Sequence, residues 1–188
     1  MKIIKISILI ILFANLISCK KTDTTTEQLI MIPNGNFELW TSEPVLNIWK
    51  TNSCPLCVPA YNTYTVEKDN EFQNGQFAAK FIFNNLFRST AENKFYISEH
   101  PSLLRGFIKS NITNGDTAQI HIDLFSGNTI IDSGNLFETS TNNIYRQIEI
   151  PISQNGTNID SASIKISGGK KLNTTLLIDN IVFVKTPN

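Results

Sequence analysis

The sequence predicts an all-β chain folded as an antiparallel β-sandwich, and three observations carry that prediction. Short runs alternate in polarity, above all Ala118–Phe125 (AQIHIDLF) and Tyr145–Ile152 (YRQIEIPI), with isoleucine or leucine on one face and polar side chains on the other. Turn signals such as Pro33-Asn34-Gly35, Asn74-Gly75 and Asn114-Gly115-Asp116 separate the runs. No window of about 12 residues sustains an apolar period of 3.6, the mark of an amphipathic helix. Roughly eight to ten strands at this turn spacing pack as two sheets. The isoleucines fill the space of about 10 Å between them.

Each strand has its own pattern. Leu29–Ile32 is apolar and ends at Pro33-Asn34-Gly35, after which Asn36–Trp40 resumes an extended path. Phe77–Phe83 (FAAKFIF) is entered through Asn74-Gly75. Ser89–Leu104 is the least regular stretch, with a strand at Lys94–Ile97 and a loop at Glu99-His100-Pro101. Phe107–Ile112 alternates. Ala118–Phe125 turns Ile120, Ile122 and Leu124 one way and Gln119, His121 and Asp123 the other. A short strand is expected at Asn128–Ile131. Tyr145–Ile152 sets Ile148, Ile150 and Ile152 against Gln147 and Glu149, and Ala162–Ile166 alternates again. Leu176–Val184 (LLIDNIVFV) is apolar on both faces except at Asp179 and Asn180, the pattern of a covered strand.

Ahead of this domain lies a leader. Lys2 and Lys5 make a basic start, Ile6–Ile17 is apolar apart from Ser7 and Asn15, and small Ser18 precedes Cys19. The apolar run is too short to cross a bilayer, which takes about 20 residues. Leu16-Ile17-Ser18-Cys19 resembles a bacterial lipobox, in which the cysteine is lipidated and becomes the new N-terminus. The expected organisation is a signal peptide over 1–18, a flexible polar tether over 19–28 and one β-domain over 29–188. Lys20 follows the cysteine, so the aspartate that holds lipoproteins in the inner membrane is absent and outer-membrane anchoring is expected.

Charge excludes one class of partner. The chain carries 16 basic and 16 acidic side chains, for a formal net charge of zero. Bulk charge therefore attracts neither nucleic acid nor an anionic surface. Catalytic patterns are also missing. The two histidines, His100 and His121, have no metal-ligand spacing and no Ser/His/Asp setting. Asp123 and Glu149 could lie near each other across a sheet face, but a glycosidase needs its two carboxyls about 5–9 Å apart across a cleft. The chain is read as non-enzymatic. With Cys19 committed to lipid, Cys54-Pro55-Leu56-Cys57 is left as an isolated pair. It is read as a short local disulfide, since export permits oxidation and no second ligand pair supports zinc.

The candidate ligand site is the polar face opposite the isoleucines: Lys109, Asn111, His121, Asp123, Gln147 and Glu149, with Phe107 and Phe125 in the same phase. Polar side chains with aromatic ends suit a sugar, which offers hydroxyls to hydrogen-bond and C–H faces to stack. The same pattern also describes the ordinary solvent face of a sandwich. A groove lined by His121, Asp123 and Gln147 would favour glycan. A flat apolar patch would favour a protein partner.

Several segments together resemble a family. Asn34-Gly35-Asn36-Phe37-Glu38 with Trp40, Gly75 with Ala78-Ala79-Lys80, and Leu177-Ile178-Asp179-Asn180-Ile181 are similar to the first, next and last strands of jelly-roll carbohydrate-binding modules of the galactose-binding-like superfamily. Pro101–Lys109, Gly115-Asp116-Thr117, Ile148–Ile152 and Ile159–Ala162 resemble, in order and spacing, a carbohydrate-metabolism domain of secreted Bacteroidetes proteins. The likeness runs over about residues 33–184 and departs at Ser167-Gly168-Gly169-Lys170-Lys171, where a serine-rich loop is expected. It implies a jelly-roll sandwich that binds or handles glycan. It also implies one structural Ca²⁺ held by Glu38 and Asp179, helped by backbone carbonyls near Gly75. The sequence therefore leads to a membrane-anchored lipoprotein with a glycan-binding sandwich, the alternative being a structural or adhesion module that binds a protein.

Overall fold

Strands of the computed structural model pair antiparallel throughout, in two sheets that face each other across the isoleucine-rich core. The structure describes residues 26–41, 45–53, 64–83, 87–155 and 158–186. Cys19, the leader, most of the tether, Cys54 and Cys57 lie outside the described residues.

The strands are β1 (Gln28–Met31), β2 (Lys50–Thr51), β3 (Val66–Asp69), β4 (Ala78–Ile82), β5 (Thr90–Tyr96), β6 (Leu103–Asn111), β7 (Ala118–Ser126), β8 (Thr129–Glu138), β9 (Asn142–Pro151), β10 (Ser161–Ser167) and β11 (Thr175–Lys185). The first sheet runs β3-β4-β11-β6-β9, with β1 also paired to β11; the second runs β2-β5-β10-β7-β8. Strands distant in sequence thus become neighbours, as in a jelly roll.

Alternation explains the core. Ile120, Ile122 and Leu124 of β7 point inward, as do Ile164 and Ile166 of β10 and Ile148 and Ile150 of β9, all buried. Leu104 and Ile108 of β6 complete the facing layer. Trp49 is buried against Phe37, their ring centroids 5.4 Å apart, and Trp40 packs on the same core. Both tryptophans therefore serve packing.

Several segments differ from the sequence reading: β5 begins at Thr90 and β6 at Leu103, ahead of the expected Lys94 and Phe107, and β2 and β3 have no counterpart in it. Asn36–Trp40 is not a strand. Asn34 and Phe37 take positive φ of 48° and 54°, and Asn34 ties the turn by bonding Leu39 and the Asn47 carbonyl. An asparagine side chain can replace ladder hydrogen bonds in this way. The short strand at Asn128–Ile131 extends to Glu138, because its partner β7 supplies a ladder along the whole length. In β11 the ladder with β6 shifts between Asp179 and Val182, and Asn180 has φ of 50°. That irregularity is a β-bulge, which re-aims the side chain beside it.

Candidate functional site

The bulge of β11 aims Asp179 at the loop between β3 and β4. The aspartate is fully buried, and its Oδ2 accepts the N–H groups of Gln73 (2.8 Å) and Asn74 (2.9 Å). Glu38 reaches the same loop, its Oε1 accepting from Gln76 (2.8 Å) and Phe77 (3.1 Å). Gly75 has a φ of 90°, and a side chain there would collide with the Glu38 carboxylate. Glycine is required at such a turn. The motif at residues 34–38 is what brings Glu38 here, because the Gly35 carbonyl accepts the Ile181 N–H at 2.8 Å and so docks the turn on the bulge.

Burial raises the Asp179 carboxyl above its ordinary range; the Asn74, Gln73 and Asn180 N–H groups oppose this and the Glu38 charge adds to it. Its Oδ1 is buried with no hydrogen-bond partner. An orphaned carboxylate oxygen beside a second carboxylate fits a hard cation such as Ca²⁺. The loop near Gly75 offers these carboxylates N–H donors and not the expected carbonyls. Among the described residues no cluster of three or more His, Cys, Asp or Glu is arranged around a metal position. Any further ligands would have to be main-chain carbonyls or water.

The six candidate ligand residues separate onto two surfaces. Lys109 and Asn111 on β6, with Gln147 and Glu149 on β9, lie on the outward face of the first sheet. His121 and Asp123 on β7 lie on the outward face of the second. The isoleucine faces of both sheets are buried against each other, so their polar faces point in opposite directions. Two expectations are thereby corrected. No groove contains His121, Asp123 and Gln147 together, and Asp123 and Glu149 do not face one cleft. The reason is that β7 belongs to the opposite sheet from β6 and β9, which alternation alone does not reveal.

On the first sheet the candidates are engaged with neighbours. Lys109 pairs with Glu71, Asn111 donates to the Asn173 carbonyl (3.0 Å), and Glu149 accepts from Arg105 (2.8 Å) and from Gln147. Arg105 also clamps Glu27 with two hydrogen bonds.

The second sheet presents a broad polar surface. Strand register sets rows across it: Tyr96, Ser161 and Phe125; then Lys94, Ser163, Asp123 and Ser133; then Glu92, Lys165, His121 and Asn135; then Gln119 beside Phe137. His121 bonds Asn135 (2.6 Å) and Asp123 (3.0 Å) through its two ring nitrogens. The Lys94 ammonium sits 4.5 Å from the Phe125 ring centre. Tyr96 is 90% exposed and Phe137 61%, at opposite ends of the rows. From Gln119 to Phe125 the strand rises roughly 20 Å. A pocket of about 570 Å³ opens at the Tyr96 end, where Lys94, Asn128 and Asp160 line it. Another of about 410 Å³ opens at the Phe137 end, with Arg88, Gln119 and Lys170. Exposed aromatic rings at both ends of the sheet thus offer apolar faces beside hydrogen-bonding side chains.

Tyr96, Phe137, Lys94, Lys165 and Asn135 were not among the sequence candidates. For Tyr96 a signal exists: Thr90–Tyr96 (TAENKFY) alternates once Asn93 is counted as inward. It is buried and donates to the Pro33 carbonyl at 2.8 Å. A polar residue on the core face hides the period. His100, placed in a loop by the sequence, bonds the buried carboxylate of Asp132 at 2.8 Å, away from both outward faces.

No family model matches the sequence, and no curated protein is significantly similar to it. Solved structures do match. The module TmCBM61, solved in complex with β-1,4-galactotriose, superposes with a TM-score of 0.51 at 13% identity over 83% of this chain and 97% of that one. The two share a β-sandwich fold. A candidate glycoside hydrolase from Bacteroides thetaiotaomicron shares the sandwich fold with a TM-score of 0.54 at 9% identity over 68% of this chain; the match spans 59% of that protein. The Stig cyclase Fisc from Fischerella sp. TAU shares it too, with a TM-score of 0.52 at 13% identity over 87% of this chain and all of its own. One sandwich fold thus serves proteins of different activity, and function has to be argued from the site.

Proposed function

We propose that this protein is a lipid-anchored, non-catalytic module that captures polysaccharide on the outward face of its second sheet. The observation that carries the reading is the exposed pair Tyr96 and Phe137 at opposite ends of a continuous polar surface. A surface of that length fits several sugar units better than a single one. In this reading Cys19 carries the lipid, residues 19–28 let the domain search polymer near the outer membrane, and Cys54 and Cys57 form a local disulfide. The full-length chain, screened against an array of bacterial, plant and host polysaccharides, should bind at least one. Binding to none would contradict the proposal.

A protein-binding role has one observation in its favour. Met31 and Tyr96 are both strongly exposed and line a shared groove of about 360 Å³ with Ile30 and Ile97. The Tyr96 side chain borders both surfaces. Retention of glycan binding by Met31→Ser would assign the tyrosine to the polar face.

The reading includes one Ca²⁺ at Asp179 and Glu38, where it would neutralise two neighbouring carboxylates and satisfy the orphaned Oδ1. EDTA is then expected to lower the melting temperature by several degrees, equivalent to about 1–2 kcal/mol for a domain of this size, and added Ca²⁺ should restore it. An unchanged melting temperature would remove the ion from the account.

A further inference from the structure

We propose that the corner formed by Arg88, Lys170, Gln119 and Phe137 recognises an anionic sugar residue, carboxylated or sulfated, at one end of the bound glycan. The inference rests on the glycan-binding reading and adds the class of sugar.

The corner is cationic by construction. Arg88 is fixed by donating Nε–H to the Gly168 carbonyl and Nη2–H to the Thr117 carbonyl. Its anchors are thus neutral carbonyls. Lys170 is exposed at the mouth of the same pocket. Among the described residues neither cation has an ion-pair partner within 4.0 Å. Asp116 also lines the pocket, but its carboxylate faces inward. It accepts the N–H groups of Thr117 (2.8 Å), Lys170 (2.9 Å) and Lys171 (2.8 Å) and is only 7% exposed. Its charge is held by these N–H groups and also acts on the Arg88 guanidinium, which leaves Lys170 as the corner's unbalanced cation.

Recognition of an anion needs a positioned cation, and a planar guanidinium carries five donors in a fork matched to carboxylate or sulfate oxygens. Gln119 adds an amide, and exposed Phe137, its cross-strand neighbour, offers a ring for the sugar's C–H face. The opposite end of the sheet differs. There Lys94 lies over Phe125, and Asp160 places a carboxylate in the pocket. The two ends therefore differ in charge, which would orient a polymer bearing an acidic unit.

The test measures binding of the full-length chain to polygalacturonate, to a sulfated polysaccharide and to a neutral galactan at fixed ionic strength. At least one anionic polymer should bind about tenfold or more tightly than the neutral one, the effect of roughly one charge-assisted hydrogen bond. The carboxylated and sulfated arms separate the two sources of charge. Lys170→Glu should remove that preference, read as the ratio of anionic to neutral affinity in the same variant. Lys68→Glu, on the first sheet, should leave the preference intact. Equal loss in both variants would mean bulk charge and would overturn the corner. Equal affinity for all three polymers would overturn the corner while glycan binding stands. Binding to none of the three would overturn the corner, and the polysaccharide array then decides the glycan-binding reading separately. An unchanged melting temperature confirms that Lys170→Glu is folded, since it keeps the main-chain N–H on Asp116.

Discussion

Replacing Asp116 with alanine is expected to lower the unfolding free energy by about 3 kcal/mol, the scale of losing charge-assisted hydrogen bonds in a buried site. The carboxylate organises the loop between β10 and β11, taking N–H groups from Lys170 and Lys171 as well as from Thr117. Gly169 packs directly on it; a methyl group there would meet both the Asp116 carboxylate and the Thr174 side chain. The loop that departs from the family resemblance is therefore a carboxylate clamp. Burial pushes the Asp116 carboxyl up, but the Lys170 N–H, the Thr174 side chain and the Thr117 and Lys171 N–H groups outweigh it and hold it below its ordinary range. The sign follows. A folded-state value below the unfolded one contributes stability that is fully present above about pH 4 and is lost as pH falls through the folded value. Urea midpoints should differ clearly between wild type and Asp116→Asn at pH 7 and converge in acid. Equal midpoints at pH 7 would show that the clamp contributes nothing.

Phe183→Ala is expected to be the most damaging core change, at about 4 kcal/mol. Phe183 is fully buried on β11, the strand that pairs with β1, β4 and β6. It stands level with Ile30 and Leu104, and its ring lies 6.1 Å from that of Phe95 in the opposite sheet. The cavity would open where the two layers meet. Urea denaturation reads the loss directly; a change below about 1 kcal/mol would mean that the neighbours collapse into the space.

The sandwich was legible because burial enforces a period of two. β7, β9 and β11 match the alternating or covered runs to within a few residues at each end. Strands with polar inward residues were harder to read. Asn93 blurs β5, and buried Asp132 blurs β8. β2 and β3 are too short to carry a period. The site was only half legible. Alternation tells which residues of a strand point outward. It does not tell which sheet the strand joins, and that is why His121 and Asp123 were grouped with Gln147 and Glu149. The exposed aromatics were missed for a related reason: an aromatic beside a core run, such as Tyr96 after Phe95, reads as packing. The Glu38–Asp179 pairing was legible only through the resemblance, since the two residues meet across a loop remote from both in sequence.

The most direct test of the central claim compares the two outward faces. Calorimetric titration of a glycan ligand would be made with the full-length chain carrying Tyr96→Ala and Phe137→Ala on the second sheet, and with Lys109→Ala and Gln147→Ala on the first. Loss of about tenfold or more in affinity is expected from the aromatic pair, the scale of sugar-ring stacking on two exposed rings. The first-sheet pair should bind as wild type. Unchanged binding by the aromatic variant, or loss confined to the first-sheet variant, would contradict the account.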